Sequence, residues 1–365
     1  MKAAICYEFG KPLVVEALEI DPPQLGEVKV RMAATAICHS DIHFLKGDWG
    51  GKPPVVAGHE AAGVVEEVGE GVTPVKPGDH VVVSLLRACG RCFYCTKGSP
   101  YLCDGEYALN TESRLCSKQG VPIRHGLRTA AFAEYAIVDQ SQVVKIPKEM
   151  PLDRAALLGC GVITGFGAVV NTAQVEPNQS VVVIGVGGVG LNAVQGAASA
   201  GADPIIAIDL LDSKLAAAQA FGATHTINAA EQEVPEEAVK DLTSGRGSEY
   251  VFVTVGSAIA VAQGFKMICR EGTVIIIGIP KIEQTVSLPV AQFVMNLTGG
   301  PRRIMGSFMG STQLSVDVPR LVELYQQDRL KLDELITRRY PLEQINEAIE
   351  AVEKGEALRN VIIFS

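Results

Sequence analysis

The sequence has no excess of positive charge: 32 lysines and arginines face 41 aspartates and glutamates, a net of −9 at neutral pH. A nucleic-acid groove or an anionic membrane surface is therefore a poor main partner, and small or neutral ligands fit better. The chain does not open on a long apolar run followed by a small-residue cleavage site. No secretion signal is read, and the cytoplasm is the expected location. Internal repeats are missing. So is low-complexity composition: 47% of side chains are apolar and only 19 are proline, which excludes disorder. Charge is absent from Gln179 to Ala202, a length that spans a bilayer on paper. That stretch holds six glycines, Asn192, Gln195 and two serines. It reads as a short strand, a glycine turn and a small-residue helix, so no membrane contact is expected.

What remains is a chain of 365 residues, long enough for two domains. Up to about Pro147 the pattern is short strands of period two, over Leu13–Ile20, Val28–Ala33, Gly63–Val68, His80–Ser84 and Glu134–Val138. This half reads as antiparallel β. Between Ala88 and Ala131 the strand pattern stops, and cysteines, glycines and charges form a long excursion that only a metal would organise. From about Leu152, apolar runs at Val181–Ile184, Ile205–Ile208, His225–Ile227, Tyr250–Val255 and Val274–Gly278 alternate with Ala-rich helical stretches. Such alternation implies parallel βαβ units. Two amphipathic helices follow Met305, one carrying Val318, Leu321 and Leu324, the other Leu342, Ile345, Ile349 and Val352. Val361–Phe364 closes the chain as a strand.

Val181–Ile184 runs straight into Gly185-Val186-Gly187-Gly188-Val189-Gly190 and then a helix. In that context G-x-G-x-x-G is a dinucleotide fingerprint. The first glycine allows the turn, the second lets backbone approach a pyrophosphate, the third permits close helix packing, and the helix N-terminus offers free N–H groups. Asp209 ends the next strand, nineteen residues after Gly190. A carboxylate there accepts from ribose hydroxyls and repels a 2′-phosphate, favouring NAD over NADP.

Nine cysteines is an odd number, and in a reducing compartment metal ligation outranks disulfides. Cys89, Cys92, Cys95 and Cys103 follow C-x2-C-x2-C-x7-C, a spacing that lets four thiolates meet on one tetrahedral ion, the closed arrangement of structural zinc. Disulfides, an iron–sulfur cluster and a zinc-ribbon nucleic-acid module are the competing readings. Cys38, His59 and Cys160 would form a Cys2His set with one position open, as catalytic zinc requires. None of the three persuades alone, since a lone buried cysteine is usually inert packing. Cys6, Cys116 and Cys269 are read as packing residues, and His80, His125 and His225 as structural.

In order along the chain stand Cys38-x-Ser-Asp-x-x-His43, Gly58-His59-Glu60-x-x-Gly63-x-Val65, the four-cysteine lobe, Leu158-Gly159-Cys160-Gly161-x-x-Thr164-Gly165 and Gly185 to Gly190. This series resembles the zinc-dependent medium-chain alcohol dehydrogenases of the long-loop, two-zinc type, over nearly the whole length. The resemblance implies an α/β protein: an antiparallel-β, partly barrel-like GroES-like catalytic domain over 1–161 and 309–365, its structural-zinc lobe at about 88–131, and a Rossmann doubly wound NAD-binding domain over 162–308. It implies that Cys38, His59 and Cys160 hold a catalytic zinc, with Glu60 behind it as an indirect ligand and Asp41 orienting His59. Ser40 would take the alcohol proton and pass it through the nicotinamide ribose to His43. His39 would sit near the pyrophosphate, Thr164 at the nicotinamide, Lys214 on the adenosine ribose beside Asp209 and Arg359 on the phosphates, with Ile277 also among the cofactor-binding residues. Zinc acting as a Lewis acid makes an alkoxide available near neutrality, whose hydride passes to NAD. Two zincs and one NAD per chain are expected.

Several subfamilies share these ligands. S-(hydroxymethyl)glutathione (formaldehyde) dehydrogenase is the nearest rival, because Ser113-Arg114 falls where that group carries an arginine for its adduct. His43, however, stands where that group usually has tyrosine, and the segment from Gly47 to Val55 is shorter. A primary alcohol with an apolar or aromatic tail is the preferred substrate, oxidised to its aldehyde and reversibly formed from it. By family position Leu85 and Phe132 line the pocket and Trp49 sits at its mouth. A non-enzymatic NAD-binding scaffold is disfavoured, since all three ligands and both relay residues are present. The 28 residues between Cys103 and Phe132 resemble the dimeric long-loop enzymes. A homodimer is expected, with the Val274–Ile279 run pairing edge to edge with its twin.

Overall fold

The computed structural model describes residues 1–294 and 300–364. Contacts divide the chain into two compact units, Met1–Gly161 with Gln313–Ser365, and Val162–Thr312. The second crossing lies a few residues beyond the expected 308. The reason is local: Thr172 Oγ1 lies 2.9 Å from the Ser307 hydroxyl and 2.8 Å from that of Ser311, tying the 307–312 turn to the second unit.

In the first unit Glu27–Ala36 is the central strand. It pairs antiparallel with Glu60–Val68, Tyr135–Asp139 and Arg359–Ile363 in a seven-stranded sheet, where Ile336–Pro341 lies parallel to the last strand. A six-stranded sheet contains Lys2–Cys6, Val14–Ala17 and Val55–Val56. The excursion from Ala88 to Ala131 is not free of strands, as the sequence suggested: Leu115–Cys116 and Pro122–His125 form a short hairpin. Proline and arginine in so short a segment hide its period. The helix Ile345–Glu353 buries Ile345, Ala348 and Val352 against a core of Ala3, Ile5, Val56, Ile123 and Phe132.

Pairing fixes where the chemistry goes. Thr35 lies opposite Ala61, and Ala36 opposite Val361. The end of the central strand, the start of Glu60–Val68 and the start of the last strand are therefore neighbours. Cys38, His59, Glu60 and Arg359 sit at those ends.

Arg114, flagged by the sequence as a possible adduct receptor, is only 3% exposed. Its guanidinium grips Glu27 through Nε at 2.9 Å and Nη2 at 2.8 Å, and Nη1 reaches Glu112 at 2.8 Å. Its backbone N–H donates to His125 Nε2 at 3.2 Å.

The second unit is a wholly parallel sheet ordered His225–Asn228, Ile205–Asp209, Val181–Ile184, Ser248–Val253, Ile268–Ile276, Arg303–Gly306. Strands run 3-2-1-4-5-6, the doubly wound order, with its switch point between Val181–Ile184 and Ser248–Val253. The strand Ile268–Ile276 has a neighbour on each side, so the expected edge pairing of the Val274–Ile279 run is corrected: the edge is Arg303–Gly306. Its leading arginine and trailing glycine concealed it. Among the described residues no helix is long and apolar enough to cross a membrane.

Burial, followed by the charge of Arg87, pushes the His125 imidazole down to about 4. Accepting the Arg114 N–H at Nε2 requires the neutral ring. Unfolded histidine titrates near 6.5, so between those values the unfolded chain binds the extra proton. Stability from this group is complete above about pH 6.5 and falls as pH drops toward 4, by about 2 kcal/mol at pH 5. Urea unfolding at pH 8 and pH 5 should show this loss, and His125→Gln should flatten it.

Candidate active site

The central strand ends at Ala36, and Cys38 caps the helix His39–Lys46. Asp41, in the first turn of that helix and fully buried, accepts three hydrogen bonds. Oδ2 takes the Cys38 N–H at 3.0 Å, while Oδ1 takes the Gly58 N–H at 3.0 Å and His59 Nδ1 at 2.9 Å. Donating Nδ1–H to Asp41 leaves Nε2 as the acceptor nitrogen. That Nε2 is buried and has no protein partner. It belongs to a cluster with Cys38 Sγ, Cys160 Sγ and a Glu60 carboxylate oxygen, all within 4.8 Å of one another. Two inward-turned sulfurs beside a buried imidazole nitrogen that has no hydrogen-bond partner fit a zinc ion.

The charges in this cluster are tightly coupled. The hydrogen bond between Cys160 and Cys38 holds the Cys38 thiol well below its ordinary value, against burial, with His59 assisting. The same bond, and burial after it, raises Cys160. Burial opposes charge on His59, but Asp41 outweighs it and holds the imidazole above its usual range. Burial pushes Glu60 up to about 7, and Arg359 pulls the other way.

Arg359, which the sequence expectation puts on cofactor phosphates, lies beside Glu60. Its side chain is 4% exposed, with Nη2 3.5 Å from Glu60 Oε1 and Nη1 3.4 Å from the Ile37 carbonyl. A guanidinium enclosed behind Glu60 holds that carboxylate back as a counter-charge. A Cβ on Gly161 would lie 1.5 Å from Arg359 Nη2, so only glycine after Cys160 leaves the guanidinium room.

Ser40 and His43 lie on one helix, three residues apart. His43 Nδ1 is 2.7 Å from Asp48 Oδ2, and its ring stacks on Trp49 with centroids 5.7 Å apart. Trp49, expected at a pocket mouth, thus serves as the platform under His43. Leu85 is half-buried. Phe132 has no exposed surface and packs in the core with Ala3 and Ile5, so it presents no wall to a pocket. An aromatic residue in a small-residue run reads the same either way in sequence.

Cys89, Cys92, Cys95 and Cys103 form a second cluster, also within 4.8 Å. None is in a disulfide. Cys92 and Cys103 sulfurs are 3.8 Å apart, the edge of a tetrahedron with bonds of about 2.3 Å. Backbone N–H groups of Cys89, Cys92, Cys95 and Gly105 donate to the sulfurs at 3.3 to 3.5 Å. Such donors stabilise thiolates and suit one ion. Tyr107, which sequence reasoning missed, adds its hydroxyl to Cys103 Sγ at 3.4 Å.

In the second unit Gly185 adopts a left-handed φ of 87°. A Cβ on Gly190 would lie 1.9 Å from the Gly185 carbonyl oxygen, while one on Gly187 would meet nothing within 4 Å. One glycine is needed for the turn and one for packing, and the middle one faces open space where a phosphate fits. Gly188 and Val189 open the helix Gly188–Ala200, whose cap uses no side chain. Asp209 accepts the Val186 N–H at 2.8 Å, and those of Leu210 and Leu211 at 2.8 and 3.2 Å, steadying the loop from the adjoining strand. Thr254, another missed residue, donates its hydroxyl to the Gly185 carbonyl from across the switch point. Thr164 Oγ1 lies 3.6 Å from Met309 Sδ, Ile277 is buried, Lys214 is half-buried on Asp212–Ala220, and exposed His39 lies in the first turn of its helix.

Two family models match: Alcohol dehydrogenase GroES-like domain over residues 24–148, and Zinc-binding dehydrogenase over 188–327. Alcohol dehydrogenase class-3 of Pisum sativum is 41% identical, with 99% of this chain and 97% of that protein aligned. The NDMA-dependent alcohol dehydrogenase of Amycolatopsis methanolica is 39% identical over 100% of this chain and 99% of its own length. The chain belongs to the zinc-type medium-chain alcohol dehydrogenases. The crystal structure of benzyl alcohol dehydrogenase from Acinetobacter calcoaceticus agrees with a TM-score of 0.92 at 33% identity, covering 100% of this chain and 99% of that one. This dehydrogenase is therefore an oxidoreductase acting on alcohols, and its family uses zinc and a nucleotide cofactor.

Gly190→Ala in this dehydrogenase should weaken dinucleotide binding at least tenfold, because the added methyl collides with the Gly185 carbonyl. Calorimetric titration of dinucleotide into the two proteins checks it, with near-ultraviolet circular dichroism to confirm the fold.

Proposed function

We propose that this enzyme oxidises primary alcohols bearing an apolar or aromatic tail to aldehydes, and reduces them back, with NAD as the hydride carrier. The observation that carries the reading is the inward-facing Cys38, His59 and Cys160 donor set with its unpartnered His59 Nε2. When bound there, zinc supplies Lewis acidity that lowers the pKa of an alcohol hydroxyl, and NAD at the glycine loop supplies the hydride acceptor. Asp41 takes the Nδ1–H of His59, which fixes the tautomer and aims Nε2 at the two sulfurs. Glu60, held by Arg359, stays a counter-charge beside the three ligands rather than a permanent fourth. Ser40 takes the substrate proton, and His43, with Nδ1 committed to Asp48, accepts it at Nε2 and releases it to solvent. The second cluster, Cys89, Cys92, Cys95 and Cys103, holds a structural zinc, making two per chain.

NAD is preferred because the Asp209 carboxylate at the strand end accepts ribose hydroxyls and repels a 2′-phosphate. The fate of Arg114 supports the apolar alcohol over S-(hydroxymethyl)glutathione: a guanidinium bidentate on Glu27 and bonded to Glu112 has no free face for an anionic adduct. The likeness to a benzyl alcohol dehydrogenase points the same way. A homodimer completes the reading. Exposed Ile279, Ile282, Val294 and Met305 in the second unit offer apolar surface for a second copy.

Initial rates with benzyl alcohol, hexanol, ethanol and S-hydroxymethylglutathione, each with NAD and NADP, test the proposal. Benzyl alcohol or hexanol with NAD should give the highest kcat/KM, and a glutathione adduct in first place would overturn the substrate assignment. Cys160→Ala should lower the zinc content from about two to about one per chain and abolish turnover, while NAD still binds. Full activity in that variant would refute the ligand set.

A further inference from the structure

The segment Gly126–Ala131 passes between the four-cysteine lobe and the Gly58-His59 turn. Three of its non-glycine residues, Leu127, Arg128 and Ala130, have left-handed φ values of 47°, 65° and 58°. Such a backbone persists only where its surroundings over-determine it. Two anchors do so here. On one side Arg87, 3% exposed, donates from Nη2 to the Arg128 carbonyl at 3.1 Å, from Nε to Gln142 Oε1 at 2.7 Å and from Nη1 to Asn110 Oδ1 at 2.7 Å. Its guanidinium lies 5.0 Å above the Tyr107 ring, whose hydroxyl meets Cys103 Sγ. On the other side Thr129, fully buried, donates its hydroxyl to the Gly58 carbonyl at 2.6 Å, and the Ala131 N–H reaches the same oxygen at 3.0 Å.

Gly58 immediately precedes His59 and is itself left-handed, with φ 91°. Its N–H is fixed by Asp41 and its carbonyl by Thr129, so both ends of this residue are pinned. We infer that Thr129 is a positioning residue for the metal-ligating histidine: its hydroxyl, held in place by the Arg87-anchored strap, fixes the Gly58 carbonyl and through it the direction of His59 Nε2. Asp41 sets the tautomer of the ring, and Thr129 sets the backbone from which the ring projects. The inference rests on the proposed ligand set of Cys38, His59 and Cys160.

Cobalt(II) substituted at that site provides the test, since thiolate-to-cobalt absorption reports the ion without turnover. Chelator-driven loss of the absorbance is timed in the wild type, Thr129→Val, Thr129→Ser and Arg87→Lys. Thr129→Val, which keeps the shape and removes the donor, should release cobalt about tenfold faster, the lower end of what losing a ligand-orienting group costs. Thr129→Ser should restore the wild-type rate. Arg87→Lys, which keeps the charge but loses the fork that holds the Arg128 carbonyl, should also accelerate release, and it stands in if the valine variant does not fold. Equal rates in the wild type, Thr129→Val and Arg87→Lys would overturn the inference, as would a serine variant as fast as valine. Failure of the wild type to show thiolate-to-cobalt absorption that Cys160→Ala abolishes would instead overturn the ligand set itself.

Discussion

One buried carboxylate organises the first unit's chemistry. Asp41 accepts from the Cys38 backbone, the Gly58 backbone and the His59 ring. Two of the three proposed metal-donor side chains, Cys38 and His59, come from segments about twenty residues apart, and both segments approach this anion. A buried carboxylate needs hydrogen-bond donors, so the arrangement satisfies Asp41 and brings the two segments together. The helix that carries Asp41 also carries Ser40 and His43, so the proposed proton route would share one frame with the proposed ligands.

The two sulfur clusters solve opposite problems with similar parts. In the four-cysteine lobe all four donors are sulfurs, and those of Cys89, Cys92 and Cys103 accept backbone N–H groups; a tetrahedral ion there would have no vacancy. In the other cluster two thiolates and one imidazole face a carboxylate, and Arg359 gives that carboxylate an alternative partner. In the proposed reading, this cation beside Glu60 would distinguish a centre that accepts substrate from one sealed by its own protein. Four backbone donors balance the charge in the lobe, whereas a single guanidinium does so behind Glu60.

In the second unit the topology supplies the binding surface. The switch point leaves the loop after Val181–Ile184 uncovered by a neighbouring connection, and Asp209 and Thr254 brace that loop from the strands on either side. The three glycines have three different physical reasons to be there: a left-handed turn, open space for an anion, and contact with a carbonyl. Substituting any one of them would disturb a different property of the loop.

Much of this was legible in the chain itself. The cysteine spacing, the glycine fingerprint with its aspartate, and the alternation of apolar runs with helices are short-range signals, set by the reach of a few residues and by the periods of strand and helix. They determined the donor types, the parallel sheet and the loop for the dinucleotide. What the tertiary structure decided depends on residues distant in sequence that meet only when strands pair. Arg359 sits behind Glu60 because the last strand lies beside the central one, Arg114 is consumed by Glu27, Phe132 turns into the core, and Arg303–Gly306 takes the sheet edge from the strand before it. Spacing along a chain cannot report such meetings, because the partner of a buried charge or ring is chosen by register and packing across the fold, and those are set only once the whole sheet has formed.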